Sequence, residues 1–222
     1  MQRATKGSTS FALTALSLFC LGLVALAQDL PMKVKGGHVL DETADQFFSK
    51  GHEKETLATC AAGDFKGLKK DAKRLAKAHC AELSNIRSQA TSGKRIGYES
   101  SGDNDELRAE RYTFDGGHLV KVEVVYLAPT AESNYHGKSF DDIFAGAKEA
   151  YGPPTSQSSE TIQNAYSLHY VLHRALWVAP RAAVLLTEQP SPEASVTLSA
   201  FTRAEYDRTA ADNKPKPSNP ME

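Results

Sequence analysis

The chain has 222 residues, and its 26 Lys and Arg side chains nearly balance its 27 Asp and Glu side chains, which leaves a net charge of −1. This length suits one domain, or two small halves that share a core. The balanced charge argues against binding of nucleic acid, or of any other polyanion, by the chain as a whole.

The first 27 residues predict a secretory signal peptide. Arg3 and Lys6 precede an apolar run over residues 11–26, and Ala25 and Ala27 form a small-x-small cleavage site. A membrane anchor is the alternative, but it needs about 20 apolar residues. Cleavage would remove Cys20, change the net charge to −3 and leave no further transmembrane segment. We therefore expect an exported protein, either periplasmic or extracellular.

Cys60 and Cys80 are the two cysteines that remain after cleavage. Because an exported compartment oxidises paired thiols, they predict one intramolecular disulfide. Closing a loop of about 20 residues should stabilise the fold by about 3 kcal/mol. A reactive or redox pair is the alternative, but a redox pair usually has Cys-x-x-Cys spacing, which these residues lack.

The predicted folded part begins with a short helix. Residues 28–42 are interpreted as a leader segment, and a helix is expected over residues 44–50. Thr43 and Gln46 have the spacing of a capping box, which marks the start of such a helix. Gly51 would end it.

A second helix is predicted within the disulfide loop, where Asp64 would cap it and Cys80 would close its far end. Its apolar positions recur at helical spacing and comprise Phe65, Leu68, Ala72, Leu75 and Ala76. Its remaining surface carries six basic residues, namely Lys66, Lys69, Lys70, Lys73, Arg74 and Lys77.

Strands follow this helix. Residues 95–99 are a short candidate, and residues 111–114 and 119–127 flank Asp115-Gly116-Gly117, a typical hairpin turn. In the second arm of this hairpin, apolar and charged residues alternate, which is the pattern of a half-buried strand.

The second half of the chain has a similar order. Ser139 and Asp142 form another capping box, which predicts a helix over residues 140–150. Strands are expected over residues 166–178, 183–188 and 195–202. The first of these has leucines at helical spacing as well, but its Tyr, Val and Trp residues favour a strand. Residues 207–222 lack apolar content and are predicted to be a disordered tail.

Together these elements predict a single α+β domain over residues 43–206. Its antiparallel sheet would consist of short strands and hairpins, with helices packed on one face. The halves 43–128 and 139–206 each contain a capped helix followed by about three strands, which suggests a repeat. Coincidence of two ordinary capping boxes is the alternative.

No segment carries a recognised catalytic pattern. The sequence contains no G-x-S-x-G pentapeptide, no H-E-x-x-H motif and no glycine-rich phosphate loop. His169 and His173 would lie about 13 Å apart along the predicted strand, too far to share a metal ion. We therefore assign no catalytic residue, metal site or cofactor from the sequence.

The six basic residues around the disulfide-loop helix stand out in an acidic mature chain. Such a surface suits an anionic lipid headgroup, a negatively charged envelope polymer or an acidic protein patch. A solvated helix face without a partner is the alternative. Trp177, the only tryptophan, is expected in the core of the sheet, with an interface anchor as the alternative.

These observations favour a non-catalytic exported protein that binds another envelope or extracellular component through its sheet or its basic helix. The alternative is an exported hydrolase whose site is assembled from dispersed residues. Such an enzyme would bring His118, His169 or His173 together with carboxylates in one cleft.

Overall fold

A computed structural model describes residues 37–63, 65–101, 107–127, 129, 137–163, 169–189 and 194–212. The helices in these ranges are α1 (Ala44–Phe48), α2 (Gly51–Ala62), α3 (Lys70–Thr91), α4 (Phe140–Tyr151) and α5 (Arg203–Asp212). The strands are β1 (Ile96–Ser101), β2 (Leu107–Asp115), β3 (His118–Leu127), β4 (Ser156–Gln163), β5 (His169–Val178), β6 (Ala182–Glu188) and β7 (Ala194–Thr202).

The seven strands form one antiparallel sheet in the order β1-β2-β3-β7-β6-β5-β4. At its centre β3 pairs with β7, so that Val124 lies opposite Leu198. Helices α1 to α4 all contribute side chains to the core that packs on this sheet. The predicted α+β class with an antiparallel sheet is therefore confirmed.

The two predicted halves share this sheet but differ in content. The first half contributes three helices and β1 to β3, and the second contributes α4 and β4 to β7. The extra strand, β4, was not predicted because its side chains are polar and exposed except for the partly buried Ile162. Main-chain pairing with β5 places β4 at the edge, where no apolar face is needed.

The local signals at the starts of α1 and α4 are confirmed. Thr43 and Gln46 form a reciprocal capping box, and Ser139 and Asp142 form another. The turn between β2 and β3 is also as predicted, since Gly116 and Gly117 have φ angles of +58° and +86°. Positive φ at both central residues is the requirement of a tight hairpin turn.

The core of the first half is rich in aromatic rings. Phe47 of α1 lies with its ring centroid 4.8 Å from that of Tyr112 and 5.0 Å from that of Phe114. Tyr98 on β1 stacks against Tyr112 at 5.9 Å. These contacts attach α1 to the sheet and place the two tyrosines side by side near its edge.

Trp177 anchors α4 in the second half. Its side chain is 2% exposed, and its ring lies 6.0 Å from Phe144 and 6.1 Å from Tyr151. The indole N–H donates a hydrogen bond of 2.9 Å to the carbonyl of Gly152, directly after the helix. The predicted core position of Trp177 is confirmed.

The predicted disulfide between Cys60 and Cys80 is confirmed. The bounds predicted for the helix between these cysteines are wrong. Two helices carry the cysteines: Cys60 lies in the last turn of α2, and Cys80 lies in the middle of α3. The prediction stopped at Cys80 because the disulfide was taken as the end of the helix. Asp64, its predicted cap, lies outside the described residues.

The predicted apolar stripe of this helix is also not a core face. Leu68 is 47% exposed and Leu75 is 67% exposed, whereas Leu83 and Ala90 of α3 are fully buried. The reason is that the turns of α3 before Cys80 are almost wholly exposed, whereas the buried residues of α3 all follow the disulfide.

The domain boundaries differ from the predicted ones at both ends. Residues 37–42, assigned to the leader, already belong to the fold: the Asp41 N–H donates to the carbonyl of Leu119, and the Leu119 N–H donates to the carbonyl of Glu42. Residues 207–212, assigned to the tail, are the last turns of α5. The low apolar content of residues 207–222 did not predict this helix. Ion pairs and one ring contact, Tyr206 on Phe201, hold the helix in place instead of a broad apolar face.

Some predictions fall outside the described residues. These are the signal peptide (residues 1–27), most of the leader, the first residues of the strand predicted over 166–178, and residues 213–222 of the tail. Across the described ranges, no helix has both the length and the apolar character needed to cross a membrane.

Candidate functional site

A cleft of about 420 Å³ lies where α3 passes the edge of the sheet, and we call it the β1 cleft. Its lining residues come from α3 and from the first three strands: His79, Glu82, Leu83, Ile86, Gly97, Tyr98, Glu99, Arg111, Tyr112, Thr113 and Glu123. The cleft therefore combines one helix face with an edge strand.

The α3 wall of the cleft follows from helical spacing. His79, Glu82, Leu83 and Ile86 lie at positions i, i+3, i+4 and i+7, which share one face. Leu83 is fully buried and Ile86 packs against the core, while His79 and Glu82 are exposed. The wall thus has an apolar base and a polar mouth.

The β1 wall offers backbone groups. β1 pairs with β2 on one side, and within the described residues no strand pairs with its other side. An edge strand of this kind presents unpaired N–H and C=O groups that can accept another strand. At Gly97 a ligand can reach the backbone of β1, because glycine has no side chain to cover it.

Two tyrosines form the base of the cleft. Tyr98 and Tyr112 stack on each other, and the Tyr112 hydroxyl donates a 2.7 Å hydrogen bond to the carboxylate of Glu110. Burial, with the nearby charges of Glu53 and Glu110, raises the pKa of Tyr98 to about 12. Burial and the bond to Glu110 raise the pKa of Tyr112 as well. Both phenols are therefore protonated at neutral pH and are not suited to act as bases or nucleophiles.

Charges at the rim of the cleft are mostly paired. Arg111 donates to the carboxylate of Glu99 at 2.6 Å, and the ammonium of Lys121 lies 2.8 Å from Glu123. The bond to Glu99 raises the pKa of Arg111. Glu82 is the exception, since it forms no ion pair with any described residue. The cleft therefore offers one carboxylate that a basic ligand group could pair with.

A buried ionic cluster lies next to the cleft. His38, which is 1% exposed, makes hydrogen bonds from Nδ1 to Glu42 at 2.7 Å and from Nε2 to Glu53 at 3.2 Å. The ammonium of Lys50 bonds to the other oxygen of Glu42. The His38 ring also stacks on Phe47 and meets the edge of Tyr112, which ties the cluster to the base of the cleft.

The cluster holds His38 in its charged form. Burial alone would lower the pKa of His38, but the hydrogen bonds and charges of Glu42 and Glu53 outweigh it and raise the pKa from 6.5 to about 9. Burial would raise the pKa of Glu42, and His38 with Lys50 lowers it instead. Since His38 is buried and does not line the cleft, this cluster is suited to stabilising the fold and not to proton transfer with a ligand.

Comparison of the chain with family models, with curated proteins and with solved structures gave no match. Functional inference must therefore start from the geometry of the chain itself.

The histidines of the hydrolase hypothesis are not brought together in the cleft. His118 donates a hydrogen bond from Nδ1 to the carbonyl of Asp41, and His173 pairs with Glu188 at 2.7 Å. Neither of them lines the β1 cleft, and His169 does not line it either. In the described part of the chain, no three His, Cys, Asp or Glu side chains are placed to hold a metal ion.

The predicted basic surface lies apart from the cleft. All six residues are exposed, but they are distributed differently from the prediction: Lys66 precedes α3, Lys69 is its N-cap, and the other four lie in its first turns. His79 begins the cleft face just after Lys77. The helix therefore has a basic N-terminal part and a cleft-lining C-terminal part.

The second face of the sheet carries a shallower groove of about 330 Å³. Its lining is mainly polar and includes Arg108, Lys121, Thr197 and Ser199, with Phe201 beneath the ammonium of Lys121 at 5.2 Å. Helix α5 reaches this side, because Tyr206 contacts Phe201 and Thr209 lines the groove.

Sequence reasoning missed the residues of the β1 cleft. The spacing of Leu83, Ile86 and Ala90 was a readable signal, since it continues the helix beyond Cys80. Tyr98 and Tyr112 also lie in predicted strands, but only their pairing across β1 and β2 shows that they form one surface. His38 could not be found, because it lies before the first helix and its partner Glu53 is 15 residues away on α2.

Proposed function

We propose that the chain is an exported, non-catalytic binding protein that captures an extended segment of a partner protein in the β1 cleft. The segment would add a strand to β1 and place alternate side chains against α3. The single observation that carries this proposal is the edge of β1, which no strand of the described residues pairs with and which lies along a cleft with an apolar base. Main-chain pairing gives affinity in this mode of recognition, and adjacent pockets give specificity.

The chemistry of the cleft supports binding over catalysis. Its two phenols have raised pKa values, and Glu99 and Glu123 are held by cationic partners. Leu83, Ile86 and Tyr98 offer an apolar seat for one side chain of the segment. Glu82 would pair with a basic residue of the segment, because it has no cationic partner among the described residues.

Export is part of the proposal. The N-terminal pattern of residues 1–27 supports it, and the disulfide between Cys60 and Cys80 is typical of proteins in oxidising compartments. The partner would accordingly be another envelope or extracellular protein.

The first prediction concerns the cleft. Random 12-residue peptides displayed on phage would be selected against the chain without residues 1–27, and selected peptides would be measured by fluorescence anisotropy. We expect Gly97→Val to weaken binding at least about tenfold, because the new side chain fills the cleft. The fold should tolerate this change, since a Cβ at Gly97 comes no closer than 3.9 Å to the Tyr112 carbonyl. Glu82→Lys should weaken the binding of peptides that carry a basic residue.

Matched controls lie on α4. Gly146→Ala and Glu149→Lys change an exposed glycine and an exposed glutamate far from the cleft, and both should leave peptide affinity unchanged. N-methylation of alternate peptide amides should abolish binding if the peptide adds a strand. Peptides that bind wild type and Gly97→Val equally, or that tolerate methylation at every amide, would refute the proposal.

A further inference from the structure

The end of the α2–α3 hairpin is exposed and carries positive charge. Helix α2 packs on α1 and α3, and the disulfide joins it to the middle of α3. We call the exposed surface at the start of α3 the basic tip, defined by Lys66, Leu68, Lys69, Lys70, Lys73, Arg74 and Lys77. The basic tip is independent of the β1 cleft, which shares none of these residues.

The cations of the basic tip form a continuous stripe. Lys70, Lys73, Arg74 and Lys77 lie at i, i+3, i+4 and i+7, so they share one helix face over about 11 Å. Among described residues, none of these four makes an ion pair. Asp71 is the single acidic residue between positions 65 and 79. The stripe is therefore open to an external anion.

Stability of the fold does not account for this charge. Positive side chains near the N-terminus of a helix oppose its dipole and lower its stability. Lys69 is the N-cap of α3 and provides no side-chain cap, and Lys70 begins the helix. A stripe placed where it disfavours the helix is better explained by a partner.

An exposed leucine at the start of the stripe distinguishes the partner. Leu68 is one of the four large apolar residues with high exposure in the described chain, and it directly precedes Lys69 and Lys70; Leu75, also exposed, lies about 150° around α3 from the stripe. An acidic polymer or an acidic protein patch would match the charge but leave Leu68 in water. A membrane surface accepts both, because headgroups pair with the cations and the acyl boundary takes apolar side chains.

We propose that the basic tip docks on a membrane surface that carries anionic lipid headgroups. In this arrangement Lys70, Lys73, Arg74 and Lys77 face the headgroups, and Leu68, at the start of the stripe, enters the boundary with the acyl chains. The disulfide holds α2 against α3, so that the tip docks as a preformed hairpin.

The test is co-sedimentation of the oxidised chain with lipid vesicles. The chain would lack residues 1–27, whose apolar run would itself bind lipid. We expect the chain to bind vesicles that contain phosphatidylcholine and about one third phosphatidylglycerol, and to bind pure phosphatidylcholine vesicles little. Binding to the anionic vesicles should weaken as salt is added. The triple variant Lys73→Gln, Arg74→Gln and Lys77→Gln should bind on the order of 100-fold more weakly, from about 1 kcal/mol per basic residue.

Two further variants make the test specific. A control variant removes the same number of positive charges from exposed positions elsewhere, by Lys94→Gln, Lys148→Gln and Arg174→Gln together. It should bind the vesicles as the wild type does. Leu68→Ser should weaken binding about tenfold while the melting temperature stays unchanged, because Leu68 is exposed in the fold.

Three outcomes would overturn the proposal. These are no binding to the anionic vesicles at low salt, an equal loss in both triple variants, and full binding by the leucine variant. In the last case, a heparin column would be used as a soluble polyanion. If it retains every variant except Lys73→Gln, Arg74→Gln and Lys77→Gln, the partner class is a soluble polyanion and not a membrane.

Discussion

His38 lies in the interior with a carboxylate on each ring nitrogen, Glu42 at Nδ1 and Glu53 at Nε2. An imidazole that donates from both nitrogens carries a positive charge. With His38 and Lys50 positive and both glutamates negative, the cluster is neutral. Deprotonation of His38 would leave an excess negative charge in a buried site, which is why its pKa is raised to about 9.

This cluster predicts a specific dependence of stability on pH. Because the folded pKa of His38 exceeds its ordinary value of 6.5, its stabilisation is complete below pH 6.5 and is lost as pH rises through about 9. The free energy of unfolding should therefore fall by about 3 kcal/mol between pH 6.5 and pH 9.5. His38→Gln should be destabilised by a similar amount at pH 6.5 and should lack this slope, as measured by urea unfolding.

The control is His169→Gln, which changes an exposed histidine on β5. It should retain both the stability and the alkaline slope of the wild type. An alkaline slope that persists in His38→Gln would assign the titration to another group.

At the scale of elements, the α2–α3 hairpin depends on its disulfide more than on the sheet. Most side chains of α2 and of the first turns of α3 are exposed, and the main contacts of α2 are with the neighbouring helices α1 and α3. Cys60 and Cys80 are 20 residues apart in sequence, so their bond restricts a sizeable loop of the unfolded chain. The rest of the fold has its own core of aromatic and branched side chains.

Removal of the disulfide should therefore act locally as well as on total stability. Cys60→Ser with Cys80→Ser should lower the free energy of unfolding by about 3 kcal/mol. Hydrogen exchange should accelerate in α2 and in the first turns of α3, while amides of β3 and β7 keep strong protection relative to them. Mass spectrometry of exchanged peptides measures both effects.

Wild type treated with reductant is the matched control and should behave as the double variant does. Thiol labelling of the untreated chain without residues 1–27 should detect no free cysteine. Stoichiometric labelling, or equal loss of protection in β3 and in α2, would contradict this account of the hairpin.

At the scale of the whole molecule, the two halves are joined by the β3–β7 pairing and by a charge cluster around Glu205. This buried carboxylate on α5 accepts two hydrogen bonds from Arg95, which precedes β1, and two from Arg208. Burial would raise the pKa of Glu205, but the two guanidinium groups lower it from 4.5 to about 2. Arg95 also bonds to Asp115 at the hairpin, so α5 is fastened to the first half of the chain.

Glu205→Gln should loosen this connection. We expect the free energy of unfolding at pH 7 to fall by about 2 kcal/mol, since charge-assisted bonds to a buried carboxylate are lost. Because the folded pKa is lowered, the contribution is complete above pH 4.5 and is lost as pH falls towards 2, so the difference from wild type should vanish there. Trp177 fluorescence and far-UV circular dichroism should shift together, because both halves share one sheet.

Asp212→Asn is the control, since it removes the exposed partner of the same Arg208. It should have little effect on the transition. Two separate transitions in wild type, one for Trp177 and another for the circular dichroism signal, would show that the halves unfold independently.

Prediction from sequence was accurate where the signal is local. The capping boxes at Thr43 and Ser139, and the turn at Gly116 and Gly117, depend on residues within four positions of each other, and all three are present. It was inaccurate for α3 and β4. Leu75 has the right spacing for a core position but nothing to pack on, and β4 has no apolar pattern because its backbone, not its side chains, attaches it to the sheet.

By itself, the sequence determined the α+β class, the antiparallel hairpin, the disulfide partners and the presence of six cations near Cys60 and Cys80. These follow from short-range periodicity, from turn chemistry and from the number of cysteines. Tertiary structure alone decided that β1 is the edge strand of the sheet formed by the described residues, that α3 passes it to form a cleft, and that His38 meets Glu53. Those features join segments far apart in sequence, and the register of strands and the angle of a helix bring them together.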